Sequence, residues 1–324
     1  MIPVVDNILQ ESRVKPAMEE ALVLARRRDA LWRRDRMIQA IRRFFSERCY
    51  LEVETPYRIP APAPESHIDA VASGNWFLHT SPELYMKRLI AAGYPKIFQI
   101  CKCFREGERG PYHLPEFTML EWYHQGIDYR ILMEECEELV TSVASDLGCG
   151  EVIHWQGKEI ALQGPWEMFS VREAFECYSP LSLTESLKRE KFDEIMACYI
   201  APHMGKRRPQ FLHDYPVYSS TLTRTKKEDP SVEERFELYI GGMEVANGSS
   251  ELADADEQRL RFEMAQQFRR LHGKMVYPQP ERFLQVFLTM PEASGIALGV
   301  DRLAMIFTDL PAIDDVVTFT PEYI

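Results

Sequence analysis

Glu237, Glu244, Asn247 and Glu251 are four polar side chains clustered within one short stretch of sequence. Glu237 and Glu244 flank Gly241 and Gly242, so a hairpin turning there would bring both carboxylates within reach of one magnesium ion. Asn247 and Glu251 follow four residues apart, the separation that places both on one side of a helical turn. Upstream, Glu116 and Glu121 interrupt the apolar, aromatic run YHLPEFTMLEWY (112–123). At a period of two, Phe117, Met119, Glu121 and Tyr123 share one strand face, and Glu116, Thr118, Leu120 and Trp122 share the other. A carboxylate at 121 therefore needs either an internal arginine or a cationic ligand, because an unpaired buried charge is expensive. Anion chemistry has candidates too. In FREGERGPYH (104–113), Arg105 and Arg109 stand among two glycines beside His113, either as a phosphate clamp or as an ordinary charged turn. In EASGIALGVDRLAMIF (292–307), glycines lead into an apolar helix whose N-terminus and Arg302 face an anion or only pack.

These residues need a frame. Leu31, Trp32, Ile38, Ile41, Phe44 and Phe45 recur at helical spacing and predict one long amphipathic helix from Asp29 to about Arg48. LEVETP (51–56) follows as a short alternating strand ended by proline. SPELYMKRLIAAGYP (81–95) reads as a helix capped by Ser81, with Pro82 in its first position. KIFQICKCF (96–104) and EFTMLEWY (116–123) predict an antiparallel hairpin with a long tip, and RFELYI (235–240) with MEVANG (243–248) a second. Helices over 128–146, 254–272 and 280–290 would cover the sheet, giving a single α+β domain across 1–324.

The chain has 324 residues and is 45% hydrophobic, enough for a sizeable core. No stretch reads as a signal peptide or as a membrane span, which points to a cytoplasmic protein without a membrane partner. Seven cysteines without a CxxC pair read as reduced thiols, with Cys101 and Cys103 sharing a strand face. A net charge of −12 argues against a protein that coats nucleic acid. One basic patch remains: Arg26, Arg27, Arg28, Arg33, Arg34, Arg36, Arg42, Arg43 and Arg48 form either a solvated helix face or a dock for an acidic partner.

In this order, the segments resemble the three motifs of class II aminoacyl-tRNA synthetases, most closely the lysyl type. The long helix with LEVETP (about 29–56) looks like motif 1, KIFQICKCFREGERGPYHLPEFTMLEWY (about 97–123) contains motif 2, and 292–307 with GIALGVDRL looks like motif 3. The resemblance implies a six- or seven-stranded antiparallel sheet flanked by helices, a homodimer through motif 1, and ATP- and Mg2+-dependent formation of an aminoacyl-adenylate. Arg105 matches the α-phosphate arginine, Phe117 the aromatic that stacks on adenine, and Arg302 the γ-phosphate arginine. Glu106, Gly107, His113, Leu114, Val245 and Gly299 fall where the family contacts ATP, and Glu237 and Glu244 match its magnesium-binding carboxylates. Ser81, Pro82, Glu83, Glu121, Tyr123, Asn247 and Glu251 match the lysine pocket.

Departures from the lysyl pattern narrow the expectation. Only about 30 residues precede motif 1, too few for an anticodon-binding OB-fold, so tRNA is not the expected partner. The wording HLPEFTMLEWY and Ala297, where lysyl enzymes carry glycine, resemble the ligases that attach (R)-β-lysine to elongation factor P. Gly107 stands where motif 2 has glutamate, and Leu114 where it has asparagine. The expected activity is ATP-dependent activation of lysine or (R)-β-lysine and its transfer to a lysine side chain of elongation factor P. The rivals are a minimal lysyl-tRNA synthetase, an asparagine synthetase-like amide former, and a non-catalytic regulatory relative.

Overall fold

The computed structural model describes residues 20–217 and 222–323. Its centre is an eight-stranded sheet formed by β1 (Leu51–Glu52), β2 (Lys96–Phe104), β3 (Glu116–Gln125), β4 (Glu167–Ser170), β5 (Gln210–Pro216), β6 (Val232–Ile240), β7 (Met243–Ser250) and β8 (Ala293–Gly299). The spatial order is β1-β2-β3-β8-β7-β6-β5-β4. The sheet is wider than the six or seven strands expected, and it is not wholly antiparallel. Short outer strands β1 and β4 add parallel pairs to β2 and β5, closing the edges around an antiparallel centre. β1 falls within the strand expected at LEVETP, whereas the four-residue β4 carries too little periodicity to read, which is why the sequence did not show the full width.

Both hairpins form where expected. Gly241 and Gly242 turn the second with φ of 65° and 89°, values that favour glycine. Alternation then sorts the side chains between the two faces. Leu120, Trp122, Phe98, Phe236, Leu238, Ile296 and Leu298 face one core beneath α1 (Arg28–Glu47), α3 (Tyr129–Asp146) and α5 (Val300–Thr308). The other face carries the polar residues and is closed at one side by α2 (Glu83–Ala91) and α4 (Ala255–Leu271), which share a smaller apolar cluster with Tyr123 and Ile97.

Several local expectations change. Only Leu51–Glu52 of LEVETP pairs as strand. Ser81 does not cap α2: Pro82 is the N-cap residue, with no side-chain cap bond, and Ser81 instead lines the central cavity. The 280–290 segment splits into Glu281–Leu284 α-helix and a 3-10 stretch, Gln285–Thr289. Asn247 lies on strand β7 and Glu251 just beyond it, not on a helical turn, yet strand alternation over four residues still puts them on one face.

The arginine-rich helix is also largely spoken for. Arg34 donates to Asp301 Oδ1 at 2.7 Å and to Thr118 Oγ1 at 2.8 Å, while the Thr118 N–H donates to Asp301 Oδ2 at 2.7 Å. Asp301 is buried, so this contact ties α1 to β3 and α5. Arg27 reaches the Thr318 carbonyl at 2.9 Å, Arg33 the Cys149 sulfur at 2.9 Å, and Arg42 and Arg43 pair with Glu52 and Asp146. The patch is thus mainly internal stapling, and a charge reversal at Arg34 would strand a buried carboxylate rather than report on docking.

Candidate active site

Register explains why distant sequence segments meet. Gln99 pairs with Glu121, Glu121 with Ala297, Ala297 with Asn247, and Asn247 with Glu237, making one row across five strands. Ile97, Tyr123, Gly295 and Ser249 form the row on one side, and Cys101, Met119 and Gly299 that on the other. A cavity of about 470 Å³ opens over these rows, within the range of small-molecule sites. Ser81, Glu83, Glu121, Tyr123, Asn247, Glu251 and Ala297 line it, as do Arg105, His113, Leu114, Phe117, Glu244, Val245, Gly299 and Arg302. Pro82, Glu106, Gly107 and Glu237 do not. Gly107 sits at φ 76° at the exposed loop tip, and Glu106 is exposed beside it. Glu108, on the other side of Gly107, faces the cavity instead and lies 3.8 Å from Arg105.

The carboxylate group of this cavity holds the main surprise. Lys87, fully buried on α2, ion-pairs with Glu83 at 2.6 Å and also with Glu251. Burial alone would lower its pKa, but Glu251 and Glu83 outweigh burial and hold the ammonium charged. The internal cation is a lysine one helical turn after Glu83, a spacing visible in the sequence but easily taken for a surface pair. Glu251, 3% exposed, is nevertheless pushed up to about 7 by burial, with Lys87 opposing the shift. Glu121, 2% exposed, accepts from the Tyr123 hydroxyl at 2.7 Å through Oε1, while its Oε2 has no hydrogen-bond partner. Burial and the neighbouring Glu83 push its pKa well above the usual carboxylate range. With three carboxylates and one ammonium, the pocket favours a further cation. Glu116, by contrast, is exposed and lies 3.8 Å from Lys102.

Gly295 is a second residue the sequence reading missed. A Cβ there would lie 2.2 Å from Tyr123 Cε1 and 2.7 Å from Glu251 Oε1, so only glycine leaves both in place. Gly295→Ala is expected to raise the KM for the amino-acid substrate by about 5- to 150-fold, since overpacking typically costs ~1–3 kcal/mol and the strain falls on the pocket wall. Nucleotide affinity should change much less. Measuring both constants checks it, and equal losses would mean a general folding defect.

Arg105 and Arg302 face the same cavity. The Arg105 guanidinium lies 5.1 Å from the Phe117 ring centroid, and its buried Nε has no partner, a donor ready for an anion. Arg302 donates to the Glu244 carbonyl at 2.8 Å and to His113 Nε2 at 2.6 Å. Burial and Arg302 lower the His113 pKa, so the neutral ring accepts this bond and orients the guanidinium. Arg109 is not available as a phosphate clamp, because it bonds Glu322 at 2.9 Å and Asp314 at 2.8 Å. Leu114 is buried and contributes only apolar wall.

A divalent cation fits the acidic pair unevenly. Glu244 faces the cavity, while Glu237 is bonded to Arg235 at 2.5 Å and to the Tyr239 hydroxyl at 2.7 Å. Burial and Glu244 nonetheless raise the Glu237 pKa, a repulsion that a cation between the two would relieve.

A wide, centrally antiparallel sheet with carboxylates and arginines converging on one face defines a recognisable class. The sequence profile described as "tRNA synthetases class II (D, K and N)" matches residues 13–322, and the chain belongs to that family. Closer relatives carry a different name. The chain is 37% identical over 312 residues to the elongation factor P--(R)-beta-lysine ligase of Salmonella gallinarum, covering 90% of this chain and 95% of that protein. It is 38% identical over 310 residues to the ligase of the same name from Proteus mirabilis, with the same coverage, and 36% identical over 325 residues to that of Pectobacterium atrosepticum.

Proposed function

We propose that the chain is an ATP-dependent ligase that activates lysine or (R)-β-lysine and transfers it to a lysine side chain of elongation factor P. The observation that carries this reading is the cluster of half-buried Glu83 with buried Glu121 and Glu251, in which Lys87 ion-pairs with Glu83 and Glu251 and leaves Glu121 unpaired, beside an arginine-lined cavity. The names of the relatives, which match over 95% of their length, supply the acceptor.

In this account Glu121, Tyr123, Glu83, Asn247 and Glu251 bind the substrate's amino groups and aim its carboxylate at the α-phosphorus of ATP. Arg105 and Arg302 stabilise charge as that oxygen attacks and pyrophosphate departs. Phe117 supports the adenine, with Val245, Gly299 and the 113–114 backbone beside it. Magnesium, held by Glu244 with Glu237 behind it, would neutralise phosphate charge. The acceptor amine then attacks the adenylate carbonyl and AMP leaves; the chain's work is orientation and electrostatics, with no covalent enzyme intermediate. Ala297 lies in register between Glu121 and Asn247, so its methyl group bears directly on where the substrate backbone rests. We also propose that 1–324 acts as one catalytic module, in the cytoplasm, as a homodimer through motif 1, where Trp32 is exposed on α1. Among the described residues no helix is long and apolar enough to cross a membrane.

The test is ATP–pyrophosphate exchange with lysine, (R)-β-lysine, aspartate and asparagine, followed by transfer assays with elongation factor P and tRNA-Lys. Exchange with the two lysine isomers and transfer to the protein are expected. Exchange with aspartate, or efficient charging of tRNA, would contradict the proposal.

A further inference from the structure

Beside the carboxylate row, on the same sheet face, lies a cluster that the proposed reaction does not use. His79, Cys101 and Cys103 each offer a ligand atom, and all three atoms lie within 4.8 Å of one another. The two cysteine sulfurs are 3.9 Å apart, and Met119 Sδ is 3.8 Å from Cys103 Sγ. A tetrahedral ion about 2.3 Å from each thiolate would set its sulfurs about 3.8 Å apart, so the thiols already stand at the spacing such an ion needs. All four residues are buried.

The imidazole is prepared in the same sense. His79 Nε2 lies 2.6 Å from the Lys102 carbonyl, which can only accept, so Nε2 carries the proton. Nδ1 is then a lone pair, and it is buried without a hydrogen-bond partner. A ligating histidine whose other nitrogen donates to a backbone carbonyl is the usual outer-shell arrangement of a metal site. Tyr57 and Phe104 hold the ring edge-on and tilted, at 5.2 Å and 6.4 Å between centroids. From these observations we propose that His79, Cys101 and Cys103, with Met119 beside them, form a binding site for a thiophilic metal ion, zinc, next to the amino-acid pocket.

Charge selects the ion. Two thiolates, one neutral imidazole and Zn2+ sum to zero, whereas copper(I) would leave a net negative charge beside Glu121, where burial already penalises a carboxylate. Binding forms two Zn–S bonds and one Zn–N bond and releases two thiol protons to solvent; no electron is transferred. Met119 also lines the cavity, which gives the ion a route inward. Once in place it would join β2, β3 and the segment leading to Ser81 and Glu83, stiffening the wall that carries the pocket carboxylates.

The experiment uses the full chain, stripped with chelator and then titrated with Zn2+, with Co2+ as a spectroscopic probe. One tightly held zinc per chain is expected, with thiolate-to-cobalt charge-transfer and tetrahedral ligand-field bands. Cys103→Ser and His79→Ala should each weaken zinc binding by more than the roughly 10- to 100-fold that loss of an outer-shell partner costs. Replacing the exposed Cys49, Cys177 and Cys198 together by serine should change nothing, and this variant keeps the test valid if a core variant fails to fold. Absence of the thiolate bands in the wild-type chain, zinc lost with the exposed cysteines, or stoichiometric copper(I) binding without zinc binding would each overturn the proposal.

Discussion

Glu121→Gln is expected to lower lysine-dependent ATP–pyrophosphate exchange by at least about 100-fold while leaving the protein folded. The amide keeps an oxygen for the Tyr123 hydroxyl, so the 2.7 Å hydrogen bond survives. What changes is the unpartnered Oε2, which becomes an amide nitrogen or loses its charge opposite the substrate ammonium. Removing one side of a buried charge pair costs ~3–5 kcal/mol, and each ~1.4 kcal/mol is tenfold in affinity. Stability should move the other way. Because burial and Glu83 raise the Glu121 pKa, ionising it costs the fold free energy, and glutamine removes that cost. Exchange assays and thermal unfolding of the same preparation check both halves; exchange that persists would make Glu121 structural.

Lys87→Met should destabilise the chain by about 3–5 kcal/mol at pH 8, because Glu83 and Glu251 lose the one ammonium between them. The pH dependence distinguishes this from a packing defect. Glu251 stands at about 7 in the fold against an ordinary value near 4.5, so the stability it contributes is fully present below about 4.5 and lost as pH rises through about 7. Without Lys87 that loss grows. The deficit of the variant should therefore be largest above pH ~7 and shrink towards pH ~5, as read by denaturant unfolding across that range. A deficit independent of pH would mean that methionine merely packs badly.

Both predictions depend on features of unequal visibility in the sequence. Glu121 and Tyr123 were legible because strand alternation assigns faces whatever the neighbouring chain does. Glu237, Glu244, Asn247 and Glu251 were legible as a group because a two-glycine turn fixes one hairpin, although Asn247 and Glu251 share a face by strand rather than helical period. Lys87 was not legible: an i,i+4 Glu-Lys pair looks the same on a wet helix as on a buried one, and only the packing of α2 against the sheet decides. Gly295 likewise depends on which ring lies opposite it across two strands. The arginines of α1 read as a patch because sequence shows their number, whereas their partners Asp301, Asp146 and Thr318 come from far along the chain. Of the two edge strands, β1 lies within the strand expected at LEVETP, whereas the four-residue β4 was missed for want of length, and the His79–Cys101–Cys103 cluster because only one of its members lies outside the hairpin that carries the other two.

The central claim is that this cavity makes an activated lysine for a protein amine. The most direct measurement is the intact mass of purified elongation factor P after incubation with the chain, ATP, Mg2+ and either lysine isomer. The account predicts a gain of one lysyl residue on the factor, dependent on ATP and abolished by Glu121→Gln. An unchanged mass with both isomers, while tRNA-Lys becomes charged under the same conditions, would contradict it.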